Sequence, residues 1–180
     1  MYIETTRFGT IQVEESDIIT FPEGMLGFSK IHQYVIVERT DDSLFVWLQA
    51  LKKGSVAFPL LEPQLFEMNF RVELEDTDRK LLKVDDLKKA KVYSIVTIPT
   101  DPTKMTANLK APIVVNLAKR LAKQVILHQA DYPIRKAIFA ELQKYCAASH
   151  RMVFPENDAQ PTYQAVHISE ELATSLDTQA

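Results

Sequence analysis

The sequence predicts a mainly β protein: a small antiparallel β-barrel, or barrel-like roll, with a C-terminal amphipathic helix. Three observations lead there. Over the first two-thirds of its 180 residues, apolar side chains alternate with polar ones at period 2. Short clusters of turn-forming residues separate these runs, and many short strands with short connections favour a closed or nearly closed sheet. From Pro133 onward the apolar spacing becomes that of a helix.

The elements follow in order. Residues 2–8 and 11–14 flank Gly9-Thr10 as a hairpin, and a strand over 17–21 stops at Pro22-Glu23-Gly24. Residues 34–38 and 44–49 flank Asp41-Asp42-Ser43 as a second hairpin. Residues 56–60 and 69–74 read as further strands, with Pro59 marking an edge or a bulge because it cannot donate to a ladder. A first helix is predicted over 76–87, where Leu81, Leu82 and Val84 sit among Lys and Asp. Residues 91–98 form a β-branched strand ended by Pro99 and Pro102. Residues 112–117 and 123–127 make the last hairpin. Ile134, Ile138, Leu142, Tyr145 and Cys146 recur at helical spacing, and Pro133 suits a first helical turn. Beyond that helix, 154–163 is turn-like, Ser169 caps a short helix over 169–172, and 174–180 frays.

Composition bounds the function. The net charge of −3 opposes a generic phosphate-backbone binder. The charge is uneven: 137–180 holds two Lys or Arg against six Asp or Glu, whereas 1–136 is nearly balanced. This divides the chain into a β-barrel domain, 1–136, and a helical, acidic extension, 137–180. Cys146 is the only cysteine, which excludes an intrachain disulfide. Met1-Tyr2-Ile3-Glu4 lacks a signal-peptide layout, and no apolar run is long enough to cross a bilayer. A cytoplasmic protein without membrane contact is expected.

No catalytic, cofactor or metal constellation emerges. The four glycines (Gly9, Gly24, Gly27, Gly54) do not cluster before a helix as a phosphate cradle requires. Gly24-Met25-Leu26-Gly27 follows a strand and reads as a plain turn, unlike the helix-joining clamp of a KH domain. No two of His32, His128, His150 and His167 have helical metal-ligand spacing. Cys146 and His150 do share i, i+4 spacing, but nothing nearby offers an oxyanion hole, and a core cysteine beside a surface histidine explains them. The basic stretch from Arg79 to Lys91 is interleaved with Asp and has no aromatic partner for stacking bases, which reads as solvated surface. The expectation is a non-enzymatic protein with no cofactor and no direct nucleic-acid contact. The alternative is a small nucleic-acid-binding barrel.

One stretch is chemically unusual. Residues 97–112 join two apolar strands with three prolines, no glycine, and the apolar pair Met105 and Leu109. Prolines lower the entropy cost of one loop shape, and Met adapts to a partner's apolar face. Pro99, Met105, Thr106, Ala107, Asn108 and Leu109 are therefore candidate protein-binding residues. Phe45, Trp47 and Gln49 alternate on one strand face and form the candidate patch beside them. The plainer reading has Trp47 in the core, Met105 and Leu109 plugging a barrel end, and Asn108 bonding loop carbonyls.

Several blocks in this order resemble the FliW family of flagellar assembly factors. They are the segments 21–28 (FPEGMLGF), 45–49 (FVWLQ), 97–99 with 105–116 (TIP and MTANLKAPIVVN), 123–127 (KQVIL) and 132–135 (YPIR). The resemblance covers roughly residues 1–136 and implies a β-barrel-like protein with two alternative protein partners. One is flagellin, whose helical C-terminal part the factor holds. The other is the translational regulator CsrA, which the freed factor binds and antagonises allosterically, relieving repression of flagellin translation. The chain departs from the family at Lys119-Arg120-Leu121-Ala122, where a glycine is usual and a different turn is expected, and in carrying residues 137–180.

Overall fold

A computed structural model describes residues 1–40, 43–151, 153 and 162–168. The turn at 41–42, most of the polar stretch 154–163, the short helix at 169–172 and the frayed end 174–180 lie outside the described residues. Twelve strands and two α-helices are present among the described residues. In chain order they are β1 (Tyr2–Thr5), β2 (Gly9–Gln12), β3 (Ile19–Thr20), β4 (Gln33–Arg39), β5 (Val46–Ala50), β6 (Ala57–Leu61), α1 (Asp76–Leu82), β7 (Lys91–Thr97), β8 (Thr106–Ala107), β9 (Ile113–Asn116), β10 (Leu121–Gln124), β11 (Lys136–Ala137), α2 (Phe139–Ser149) and β12 (Tyr163–Ala165).

The barrel is closed and has seven strands, running β3–β4–β5–β6–β7–β9–β10 and back to β3. Every contact around it is antiparallel except the last, where Leu121 of β10 pairs parallel with Thr20 of β3. Strand alternation fills the interior. Ile19, Tyr34, Ile36, Leu48, Leu60, Ile113 and Val115 point inward into one cluster. The Tyr34 hydroxyl has no hydrogen-bond partner among the described residues, and burial pushes its pKa up to about 12.

Alternate residues of the same strands point out and found two outer layers. Val35 and Val37 of β4 pack under the β1–β2 hairpin, with Ile3, Ile11, Val13 and Ala165. Leu61, Val96 and Val114 pack under α1, the 98–112 loop and α2. Gly54 lies so close to the carbonyl of Glu4, in that hairpin, that a Cβ would collide with it. Gly24 combines φ +68° with a backbone contact a Cβ would bring to 2.7 Å, so the turn after β3 admits only glycine.

The structure corrects three expectations about the elements. Residues 69–74 are not a strand. Phe70 and Leu74 are buried and Val72 half-buried, so the alternation is real, but it belongs to an extended segment lying over the barrel. There the Arg71 amide donates to the Tyr132 hydroxyl at 3.1 Å, instead of to a ladder. The first helix ends at Leu82, not Leu87, because Lys83 turns left-handed at φ +53°. The second begins at Phe139, not at Pro133, because Lys136 and Ala137 are used as β11 against β8. Ile134 is consequently 63% exposed and does not belong to the helix stripe, which is Ile138, Leu142 and Cys146. In the 117–120 turn, where the chain has no glycine, Arg120 is left-handed at φ +53°. Asn116 helps hold it by accepting from the Lys119 amide at 3.2 Å.

Between β10, α1 and the 22–27 turn lies an ion-pair triad. Lys123 Nζ is 2.7 Å from Asp78 Oδ1 and 2.9 Å from Glu23 Oε2. Burial alone would lower the Lys123 pKa, but hydrogen bonds and charge from Asp78 and Glu23 together outweigh it and lift it above the ordinary lysine value. Asp78, expected on a solvated helix face, is buried. Lys123→Met should cost about 2 kcal/mol, the low side for a buried pair because the lysine keeps some solvent. A raised lysine pKa supplies stability that is full below the unfolded value and is lost as pH rises through the folded one. Urea midpoints across alkaline pH, for both proteins, should therefore converge toward high pH.

Candidate protein-binding surface

The 98–112 loop is rigid for chemical reasons. Asp101 caps a 3-10 turn, Pro102–Lys104, accepting from the Thr103 amide at 3.1 Å and its hydroxyl at 2.6 Å. Thr106 and Ala107 form β8, held between β7 and β11. Asn108 Oδ1 accepts from the amides of Lys110 and Ala111, both at 3.0 Å, so it bonds loop amides and not loop carbonyls. Its own amide donates to the Ile95 carbonyl at 2.9 Å.

The candidate residues separate into two groups. Met105, Ala107 and Leu109 are buried, at 0%, 0% and 1% exposure, and share a core cluster with Phe45 and with Ile138, Leu142 and Cys146 of the α2 side. Thr106 and Asn108 are half-buried. Pro99 is exposed, together with Thr100, Asp101, Thr103 and Lys104. The outward half of the loop is thus a polar and proline-bearing ridge, supported from beneath by its apolar half.

Phe45, Trp47 and Gln49 do not form one exposed patch. Alternation does direct Trp47 outward, but the β1–β2 hairpin covers that face. Phe8 meets the indole edge-on at 5.6 Å, and the Arg7 guanidinium lies 4.4 Å from its ring centre. Gln49 is buried, and its Nε2 donates to the carbonyls of Ala50 and Val56, pinning the β5–β6 connection. Phe45 lies beyond the strand, in the Met105 cluster.

The residues that sequence reasoning missed adjoin the loop. Segment 126–134 is tied to it by the Lys110 ammonium on the Ala130 carbonyl at 2.6 Å and the Leu109 amide on the Pro133 carbonyl at 3.1 Å. Between this segment and 71–75 runs an open groove of about 230 Å³, lined by Arg71, Leu74, Ile126, His128 and Tyr132 among others. Ile126 and Ile134 are exposed apolar side chains along the segment. The signal for Ile126 was present: in Val125-Ile126-Leu127 the flanking residues are inward, so period 2 leaves the isoleucine outward.

No group of three or more His, Cys, Asp or Glu is placed to hold a metal among the described residues. Burial pushes the Cys146 thiol up in pKa, with Arg151 pulling the other way, which opposes a nucleophilic role. In the basic stretch, Arg79 donates to the Leu74 and Asp85 carbonyls and Lys91 pairs with Glu62. Among the described residues no helix is long and apolar enough to cross a membrane. What the geometry offers is outer surface suited to protein contact.

A family model described as FliW protein matches residues 2–138. A flagellar assembly factor FliW of Bdellovibrio bacteriovorus is 44% identical over 144 residues, covering 80% of this chain and 82% of the relative. One from Ruminiclostridium cellulolyticum is 43% identical over 145 residues, covering 80% and 98%. A crystal structure of the flagellar assembly factor FliW superimposes with a TM-score of 0.73 at 32% identity, covering 77% of this chain and 97% of that one.

Proposed function

The chain belongs to the FliW family of flagellar assembly factors, and from that premise we propose that it binds flagellin and, when free, binds and antagonises the translational regulator CsrA. The observation that carries this reading is the match of residues 2–138 to the family, within which the unusual 98–112 loop is rigid and displays an exposed ridge. The partner surface is that ridge, Pro99 to Lys104, continued by Ile134 and the Ile126 groove. Phe45, Met105, Ala107 and Leu109 serve it from below by fixing the loop's shape, Thr106 and Asn108 border it, and Trp47 and Gln49 hold the barrel that carries it. The cytoplasm is where both partners are met. Residues 1–136 carry the binding, and α2 completes the packing.

An export sensor needs its two complexes to oppose each other, and such coupling is reciprocal. Titrating flagellin into a preformed complex with CsrA should release CsrA. A stable ternary complex with unaltered affinities would sink the switch. The surface is tested in the same assay by the pair Lys104→Glu and Ile134→Asp, both at exposed positions. Together they should weaken flagellin binding about 100-fold, roughly 2.7 kcal/mol. Unchanged affinity would remove this face from the interface.

A further inference from the structure

The barrel has an edge that its family-matched part does not cover. On the side of β4 away from β5, β3 pairs only with Gln33 and Tyr34. The chain enters β3 from the 3-10 turn Glu15–Asp17, so residues 36–40 have no ladder partner from β3. β12 fills the gap: Tyr163, Gln164 and Ala165 pair antiparallel with Arg39, Glu38 and Val37. The ladder extends at both ends, with the Thr40 amide on the Thr162 carbonyl at 3.0 Å and the Val166 amide on the Ile36 carbonyl at 2.8 Å. β12 lies beyond residues 2–138, and residues 150–162 separate it from α2 in sequence.

We infer that this β4 edge is a strand-addition site for an extended segment of a partner protein, and that residues 162–168 are an exchangeable plug occupying it in cis. An open edge of this kind is a ready template for another strand, and main-chain pairing with side-chain pockets on alternate residues gives such sites both affinity and selectivity. The plug reports the chemistry the site takes. The residue opposite Val37 is small, Ala165, and is buried among Ile3, Ile11, Val13 and Val35. Two residues before it an aromatic ring, Tyr163, meets Phe8 at 4.7 Å. After it come the β-branched Val166 and Ile168, both packed against the barrel's interior cluster. A polar residue at the Gln164 position meets Glu38, with Nε2 3.1 Å from Oε1. The fitting partner is thus an extended segment reading aromatic, polar, small, β-branched.

The plug is also separable. Its core contribution is one small residue and the margins of three others, and its ladder is short. One side-chain contact fastens its end, where the line of β12 meets the start of β3: His167 Nδ1 lies 3.0 Å from the buried Asp17 carboxylate. Asp17 does not need the histidine, because it also accepts from the Glu14 amide at 2.9 Å. Helix α2, by contrast, is built into the larger core. The extension therefore has two parts with different roles.

The inference stands apart from which flagellar protein the chain binds, and its test uses no flagellin. In the full chain, Val166→Pro removes a ladder donor and should release the plug. A labelled synthetic peptide of residues 162–168 should then bind the variant at least tenfold more tightly than it binds the unaltered protein. Equal binding, or none to either, overturns the inference. A second measurement needs no variant: in the unaltered protein, the amides of Gln164 and Val166 should exchange with deuterium at least tenfold faster than the ladder amides of β5. Equal protection would make β12 an integral strand and overturn the plug. Protection of β12 that rises with protein concentration would assign the edge to a second copy of this chain, and would also overturn it.

Discussion

Deleting residues 137–180 should lower the unfolding free energy by about 5 kcal/mol, the burial of Ile138, Leu142 and Cys146 taken together. These three side chains face Met105, Leu109 and Phe66 in one cluster, so their removal uncovers the underside of the 98–112 loop. A helix of this length is marginal in water and persists because the barrel offers it an apolar bed. The truncated protein should show a lower urea midpoint and should bind an apolar dye such as ANS. Cutting after Arg151 instead spares the helix and should cost much less. An unchanged midpoint with tighter flagellin binding, on deletion from 137, would mean the helix is a competitor for the partner surface and not part of the core.

Met105→Ala should destabilise the protein by about 3 kcal/mol, within the range for emptying a fully buried methionine site. The backbone around Met105 is held at both sides, its amide on the Pro102 carbonyl and its carbonyl accepting from Ile138, so the space cannot readily collapse. Because the side chain is buried beneath the loop, flagellin affinity of the folded variant should stay within about threefold of the unaltered protein, a difference under 0.7 kcal/mol. A loss of two orders of magnitude, with the fold intact, would return Met105 to the interface itself.

These two expectations depend on packing that period and spacing alone did not show. The hairpins were legible because short β-branched apolar runs, such as Val35–Val37 and Ile113–Val115, are bounded by turn-forming residues. Where an extended segment passes over the barrel, as at Phe70 to Leu74, the same alternation arises from burial without a ladder, and period cannot tell the two apart. The stripe from Ile134 to Cys146 fitted a single helix. The pairing of Lys136–Ala137 with Thr106–Ala107, a contact between distant segments, decided otherwise. In the candidate surface, the loop was recognisable from its prolines and its Met–Leu pair. Which half of it faced solvent depended on α2 and β11, which lie far along the chain. Asp78 read as an ordinary surface charge for the same reason: its pairing with Lys123 is a product of the fold.

The parallel contact between Thr20 and Leu121 also governs when the molecule can form. Every other junction of the barrel can assemble as the chain lengthens, each new strand adding to one already made or to one soon to follow. The last junction joins the first barrel strand to the last, and its loop-closure entropy must be met before the seam contributes anything in return. Topologies dominated by such distant pairings fold over milliseconds to seconds, slower than helical ones. On the ribosome the sheet therefore stays open, with β3 unpaired on one side, until residue 124 has emerged. Throughout that interval the nascent chain exposes strand edges that invite aggregation. The barrel is thus sealed only after residue 124 has been made, and the early exposure of its edges follows from where that seam lies.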